Sequence, residues 1–72
     1  MRRMGLAGIF GANVRRLRAE RGLTQEDLAH QAGISVRFLS SIEHGRENVT
    51  LSVVQRVGLA LEVAPVELLN PI

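Results

Sequence analysis

The sequence predicts an all-α domain, and three observations support that fold class. Apolar and polar residues show no strand-type alternation, which disfavours a sheet. Glycine and proline recur at intervals typical of short helices rather than of short strands. Residues with good N-capping side chains, Thr24, Ser35 and Thr50, precede three segments of helical apolar spacing. Together these signals predict five short helices with short connections.

The first predicted helix begins at about Ile9 or Asn13 and runs to Arg21. Gly22 follows it and can take the positive φ of a helix C-terminus. We expect residues 1–8 to form a flexible tail and residues 9–70 to form one folded domain. The glycines that interrupt residues 1–11, and the arginines that follow, argue against a signal peptide.

The second and third predicted helices have clear start and stop signals. Thr24 and Asp27 match a capping box with Asp in place of Glu, and this helix ends at Gly33. Ser35 caps a third helix that reaches His44. The helical spacing predicts these inward-facing residues: Leu28, Ala32, Phe38, Leu39 and Ile42.

The last two predicted helices complete the domain. Thr50 caps a fourth helix that extends to about Leu61, and Pro65 is suited to the first position of a fifth, which ends at Leu69. The fourth helix has one apolar stripe, predicted to face the core and formed by Leu51, Val54, Val57 and Leu61.

The second and third helices form a candidate helix-turn-helix. They are short, a glycine lies between them, and the small residue Ala29 precedes Gly33 by four positions, which permits a close crossing. Such a pair presents its second helix as a ridge that fits the major groove of DNA, which is about 12 Å wide.

Charge and composition agree with a DNA-binding protein. All nine basic residues are arginine, and residues 1–36 carry a net charge of +3 against −1 for residues 37–72. This asymmetry suits a basic face for phosphate and a more neutral region for self-association, although a solvated charged surface is the alternative. The lack of cysteine favours the reducing cytoplasm, and the apolar runs are too short to span a membrane.

Residues 13–69 resemble the Xre-type, or lambda-repressor-like, helix-turn-helix family. The matching segments are RAERGLTQEDLA at 18–29, AGIS at 32–35, IEHGR at 42–46 and LALEVAPVELL at 59–69. The segment GRENVTL at 45–51 is most similar to the controller proteins of restriction–modification systems. The resemblance implies a five-helix fold and a homodimeric transcriptional regulator that binds a near-palindromic operator.

The resemblance also implies roles for single residues. Gln25 would hold a phosphate at the start of the second helix. Arg37 would be the principal base contact, because a guanidinium can bond to O6 and N7 of guanine together. Arg18 and Glu43 would form a partly buried ion pair that positions the third helix. The remaining predicted DNA contacts are Ser35, Val36, Ser40 and Ser41 in the groove, and Arg46 and Asn48 on the backbone.

The sequence departs from the family pattern at two positions. Glu62 stands where glycine is usual, and Leu59 stands where a charged surface residue is usual. Leu59 therefore adds apolar surface beyond the core stripe. We expect a dimer interface formed by Leu59, Val63, Val66 and Leu69.

Other functions have less support. A protein-interaction module, such as an antitoxin whose main partner is a toxin, is the alternative; RNA polymerase is a further possible partner. His30 and His44 have no cysteine partners, so we expect no metal site, and we expect no other cofactor. No arrangement of nucleophile and base suggests an enzyme. Arg2 and Arg3 form either an arm on DNA or an untethered tail.

Overall fold

A computed structural model of the chain describes residues 5–71, and Arg2 and Arg3 lie outside the described residues. Over that range the chain contains four α-helices and one 3-10 helix, and no strand. Their bounds are α1, Leu6–Glu20; α2, Gln25–Ala32; α3, Val36–Glu43; α4, Leu51–Leu61; and the 3-10 helix, Pro65–Leu69. The predicted all-helical class is confirmed. In this range no helix combines the length and apolar character needed to cross a membrane.

One predicted boundary and one predicted helix type were wrong. Helix α1 begins at Leu6, so residues 6–8 belong to the first helix and not to a tail. The fifth predicted helix is a 3-10 turn, in which Glu67 N donates to Ala64 O at 2.9 Å. Pro65 contributes no N–H, and a five-residue segment is too short to build a stable i→i+4 ladder, which favours the tighter helix.

The helices enclose one apolar core. Helix α1 packs against α3 and the 3-10 helix, and α2 packs against α3 and α4. The core residues are Phe10, Val14, Leu28, Ala29, Ala32, Leu39, Ile42, Val54, Val57, Leu61 and Leu68. Leu51, predicted to join this stripe, is instead 82% exposed, and the stripe that reaches the core begins at Val54.

The C-terminal segment is attached to α1 by a buried amide. Asn13 is 1% exposed, and its Nδ2 donates to Leu68 O and to Asn70 O, each at 2.9 Å. Its Oδ1 accepts from Arg16 Nη2 at 3.2 Å, so every polar atom of the side chain has a partner. An unpaired buried amide would be costly, and this satisfied one fixes the register of the last residues on α1.

Helix α4 ends with a glutamate in the conformation that usually selects glycine. Glu62 has φ 60° and ψ 40°, and Val63 N donates to Gly58 O at 3.0 Å, as in a Schellman cap. The turn therefore keeps the geometry expected of glycine, with the strain of a Cβ in the left-handed region.

We expect Glu62→Gly to raise the free energy of unfolding by about 1 kcal/mol, because it removes this strain while the cap hydrogen bonds remain. Urea denaturation measures the change. Glu62→Ala is the control, since it removes the carboxylate but keeps a Cβ. An equal gain from both variants would assign the effect to charge and contradict the conformational explanation.

Candidate nucleic-acid interface

The turn between α2 and α3 is fixed by hydrogen bonds at each step. Thr24 Oγ1 accepts from Asp27 N at 3.0 Å and Asp27 Oδ2 accepts from Thr24 N at 3.1 Å, which confirms the predicted capping box. These hydrogen bonds lower the pKa of Asp27. Gly33 ends α2 at φ 70°, and Ser35 Oγ accepts from Phe38 N at 3.0 Å. The relative orientation of the two helices is therefore tightly defined.

Helix α3 has one buried and one exposed face. Leu39 and Ile42 are fully enclosed, whereas Val36 and Arg37 face solvent. Arg37 forms no hydrogen bond or ion pair with another described residue. Ser35 is also exposed, and Ser40 and Ser41 are half-buried at the edge of this face. Helix α3 and its N-cap therefore present a continuous exposed ridge. Among residues 35–43, the one free cation is the Arg37 guanidinium.

Three side chains join the three N-terminal helices beneath this ridge. Arg18 of α1 donates from Nε to Glu43 Oε2 at 2.6 Å and from Nη2 to Glu43 Oε1 at 3.0 Å. Gln25 Nε2 donates to the same Oε1 at 3.1 Å. The Glu43 side chain is only 3% exposed, and its hydrogen bond raises the pKa of Arg18. The bidentate pairing of Glu43 with the planar guanidinium of Arg18 holds α3 in place relative to α1 and α2.

The predicted phosphate contact Gln25 is thus already engaged. One amide N–H binds Glu43, while the second remains available beside the first turn of α2. The hydrogen bond restricts the side chain to one orientation. It does not remove the donor that a phosphate oxygen requires.

The loop after α3 carries the remaining predicted contacts. Arg46 and Asn48 are exposed, and the loop leads into the cap of α4 at Thr50. Ser41 Oγ donates to Glu47 Oε2 at 2.9 Å, which sequence reasoning did not foresee. This bond uses the only proton of the Ser41 hydroxyl, so Ser41 can offer DNA an acceptor but not a donor while it persists.

Two further arginines, also missed, cap helix C-termini. Arg56 Nη2 donates to Gly33 O at 2.6 Å, at the turn between α2 and α3. Arg21 Nε donates to Leu61 O at the end of α4. Each places a cation at the negative end of a helix dipole. A sequence signal for such long-range caps does not exist, because the partners lie 23 and 40 residues away.

The residues predicted to form a dimer interface differ in their exposure. Leu59 is 69% exposed and Val66 is 63% exposed, while Val63 and Leu69 are half-buried and pack against the core. Within residues 5–71 no group of three or more acidic or histidine side chains could hold a metal ion.

Comparison with known proteins gives consistent matches. A helix-turn-helix family model matches residues 14–68. The chain is 43% identical over 68 residues to the uncharacterized HTH-type transcriptional regulator y4dJ of Sinorhizobium fredii, covering 94% of this chain and 88% of that protein. The crystal structure of the hypothetical transcription factor NHTF from Neisseria superposes with a TM-score of 0.89 at 36% identity, covering 93% of this chain and 77% of that one.

A third match is to a protein that was crystallised with DNA. The restriction–modification controller protein C.Esp1396I, crystallised as a tetramer with its natural 35 base-pair operator, superposes with a TM-score of 0.80 at 30% identity. The match covers 88% of this chain and 83% of that one.

Proposed function

The chain belongs to the Xre-like helix-turn-helix family, and on that premise we propose that it is a sequence-specific transcriptional regulator that binds double-stranded DNA as a homodimer. Its action is occupancy of an operator, either blocking RNA polymerase or contacting it. A regulator of this kind works where the DNA is, so we place it in the cytoplasm, and we assign it no catalytic activity.

The observation that carries the proposal is the exposed ridge of α3 on a rigidly held helix. Val36 and Arg37 face outward, while Glu43 at the other end of α3 is fixed to Arg18. A helix that must enter a groove needs this combination, because side chains read base edges only when the backbone is positioned. Arg37 is the base contact, and the smaller residues Ser35, Val36, Ser40 and Ser41 complete the groove surface.

Phosphate contacts flank that ridge on both sides. The free N–H of Gln25 and the first turn of α2 form one, and the exposed loop residues Arg46 and Asn48 form the other. The two contacts lie before and after α3 in the sequence, so together they fix its depth and tilt in the groove.

Self-association follows from the apolar residues at the C-terminal end. Leu59, Val63, Val66 and Leu69 form the interface, related to their copies by a two-fold axis. Two α3 helices then meet half-sites about 10 bp apart, and the operator is near-palindromic. The similar protein C.Esp1396I was crystallised as a tetramer with its operator, which supports operator binding by an oligomer.

The test is selection of bound duplexes from a random DNA pool at physiological salt, with the purified chain alone. Enrichment of a two-fold-symmetric site with fixed half-site spacing is the expected result. Enrichment of nothing would reject an autonomous regulator and would favour a module that needs a protein partner.

Arg37 can be tested on the selected operator. We expect Arg37→Ala to weaken binding by about 1–3 kcal/mol and to relax the preference at one base pair per half-site. Arg37→Lys is the matched control, because it keeps the charge but not the bidentate fork. Repeating the selection with both variants measures preference. A uniform loss of affinity for all sequences would make Arg37 a phosphate contact instead.

A further inference from the structure

A small basic pocket lies beside the ion pair of Arg18 and Glu43. It has a volume of about 180 Å³ and is lined by Arg15 and Arg18 of α1, Gln25 of α2, and Glu43 and His44 at the end of α3. Glu43 accepts hydrogen bonds from both Arg18 and Gln25, so its charge is already compensated. The groups left to meet a ligand are Arg15 and His44, which are both exposed.

The hydrogen bond of His44 fixes what its ring can offer. Nδ1 lies 2.7 Å from Ser40 O, and a carbonyl oxygen only accepts, so Nδ1 carries a proton. In the neutral ring Nε2 therefore has a lone pair and repels an anion. In the protonated ring Nε2 becomes a second donor and the ring gains a positive charge. The ring of His44 therefore repels a phosphate oxygen when it is neutral and attracts one when it is protonated.

We propose that Arg15 and His44 bind a phosphodiester group of the duplex that α3 reads, and that His44 does so only when protonated. The inference rests on the proposed function and adds a phosphate site on the α1 side of α3. DNA binding then takes up a proton, because the phosphate stabilises the charged imidazole.

The charges around His44 support proton uptake on binding. In addition to Arg15 and Arg18, Arg16 lines the adjoining groove, while Glu43 is the one carboxylate among the residues that line the two cavities. Arg16 is itself paired with Glu20 at 3.2 Å. Arg18 and Arg16 therefore already have carboxylate partners, and Arg15 is the arginine of this group that an arriving phosphate would neutralise. The C-terminal end of α3 also favours a cation at His44.

The experiment measures the dissociation constant of a labelled duplex by fluorescence anisotropy at constant ionic strength. The probe is the operator from the selection above or, if none is enriched, a random-sequence duplex of equal length. We expect the dissociation constant to fall about fivefold between about pH 8 and about pH 6. Because a phosphate contact needs no particular base, failure of sequence-specific recognition does not prevent the test.

The two histidines supply a matched pair of variants. His44→Gln should abolish most of the pH dependence. At low pH it should also make the slope of log affinity against log salt shallower by about 1, which corresponds to the loss of one phosphate contact. His30→Gln, on the exposed surface of α2, should behave as the unmodified chain. Arg15→Gln should weaken binding at both pH values. Equal pH dependence with and without His44, or none in the unmodified chain, would overturn the proposal.

Discussion

Replacing Arg18 with methionine is expected to lower the free energy of unfolding by about 3–5 kcal/mol, because it leaves the charge of Glu43 buried without its main partner. The Glu43 side chain is 3% exposed, and two of its three hydrogen bonds come from Arg18. Arg18 Nη1 also donates to Leu23 O at 2.9 Å, and that bond is lost as well. For a domain whose total stability is on the order of 4–11 kcal/mol, the change is large.

A double variant separates the buried charge from the lost packing. Arg18→Met with Glu43→Leu removes both charges, and we expect it to recover most of the stability, since a well-packed apolar pair often replaces a buried ion pair at little cost. Urea denaturation of both proteins gives the two free energies. If the double variant were as unstable as Arg18→Met alone, the explanation from an unpaired carboxylate would be wrong.

The same double variant tests whether the Arg18–Glu43 ion pair serves DNA binding in addition to stability. Gln25 is oriented through Glu43, so a stable protein without Glu43 should bind duplex DNA more weakly than the unmodified chain. The double variant would then recover most of the stability and still bind DNA more weakly. The Arg18–Glu43 pair would be retained for the position of Gln25 and α3, more than for stability.

Local signals were sufficient for most of the helix boundaries. The caps at Thr24, Ser35 and Thr50 depend on side chains three residues from their partners, and all three form as predicted. Helix α2 ends at Gly33 as predicted, and Gly22 has the positive φ expected after the first helix. Interactions of this range are encoded in the few residues around each turn, so sequence reasoning can find them.

Interactions between distant residues could not be predicted in the same way. Asn13 looks like an ordinary helix-surface residue in sequence, yet its amide binds carbonyls 55 and 57 residues away. The exposure of Leu51, which lies on the predicted core stripe, depends on how α4 packs against the other helices. The residues proposed to contact DNA remain predictions, because their role depends on a partner that the sequence does not contain.

The glycines of α1 show the clearest conflict between local and tertiary information. The first helix is predicted to begin at about Ile9 or Asn13, whereas α1 begins at Leu6 and includes Gly8 and Gly11, although glycine weakens a helix. A Cβ on Gly11 would lie 2.1 Å from Ile42 O, and one on Gly45 would lie 3.1 Å from Gly8 Cα. Close packing of two backbones is therefore what compensates for the poor helix propensity.

Gly11→Ala is consequently expected to destabilise the protein by about 2–4 kcal/mol, although alanine is the better helix former by about 1 kcal/mol. The obstacle is a backbone carbonyl and not a flexible side chain, so α1 and α3 must separate. Ile42 O also accepts from Gly45 N at 2.9 Å, in the turn that leads to Arg46. A shift there should weaken duplex binding even at temperatures where the variant stays folded.

Thermal unfolding and anisotropy at low temperature measure the two effects. Gly5→Ala is the control, because a Cβ at Gly5 meets nothing within 4 Å, and it should cost less than about 1 kcal/mol. A higher melting temperature for Gly11→Ala would mean that helix propensity dominates and that α1 and α3 do not approach as closely as described. A lower one, with weaker DNA binding, would show that this glycine contact sets the position of α3.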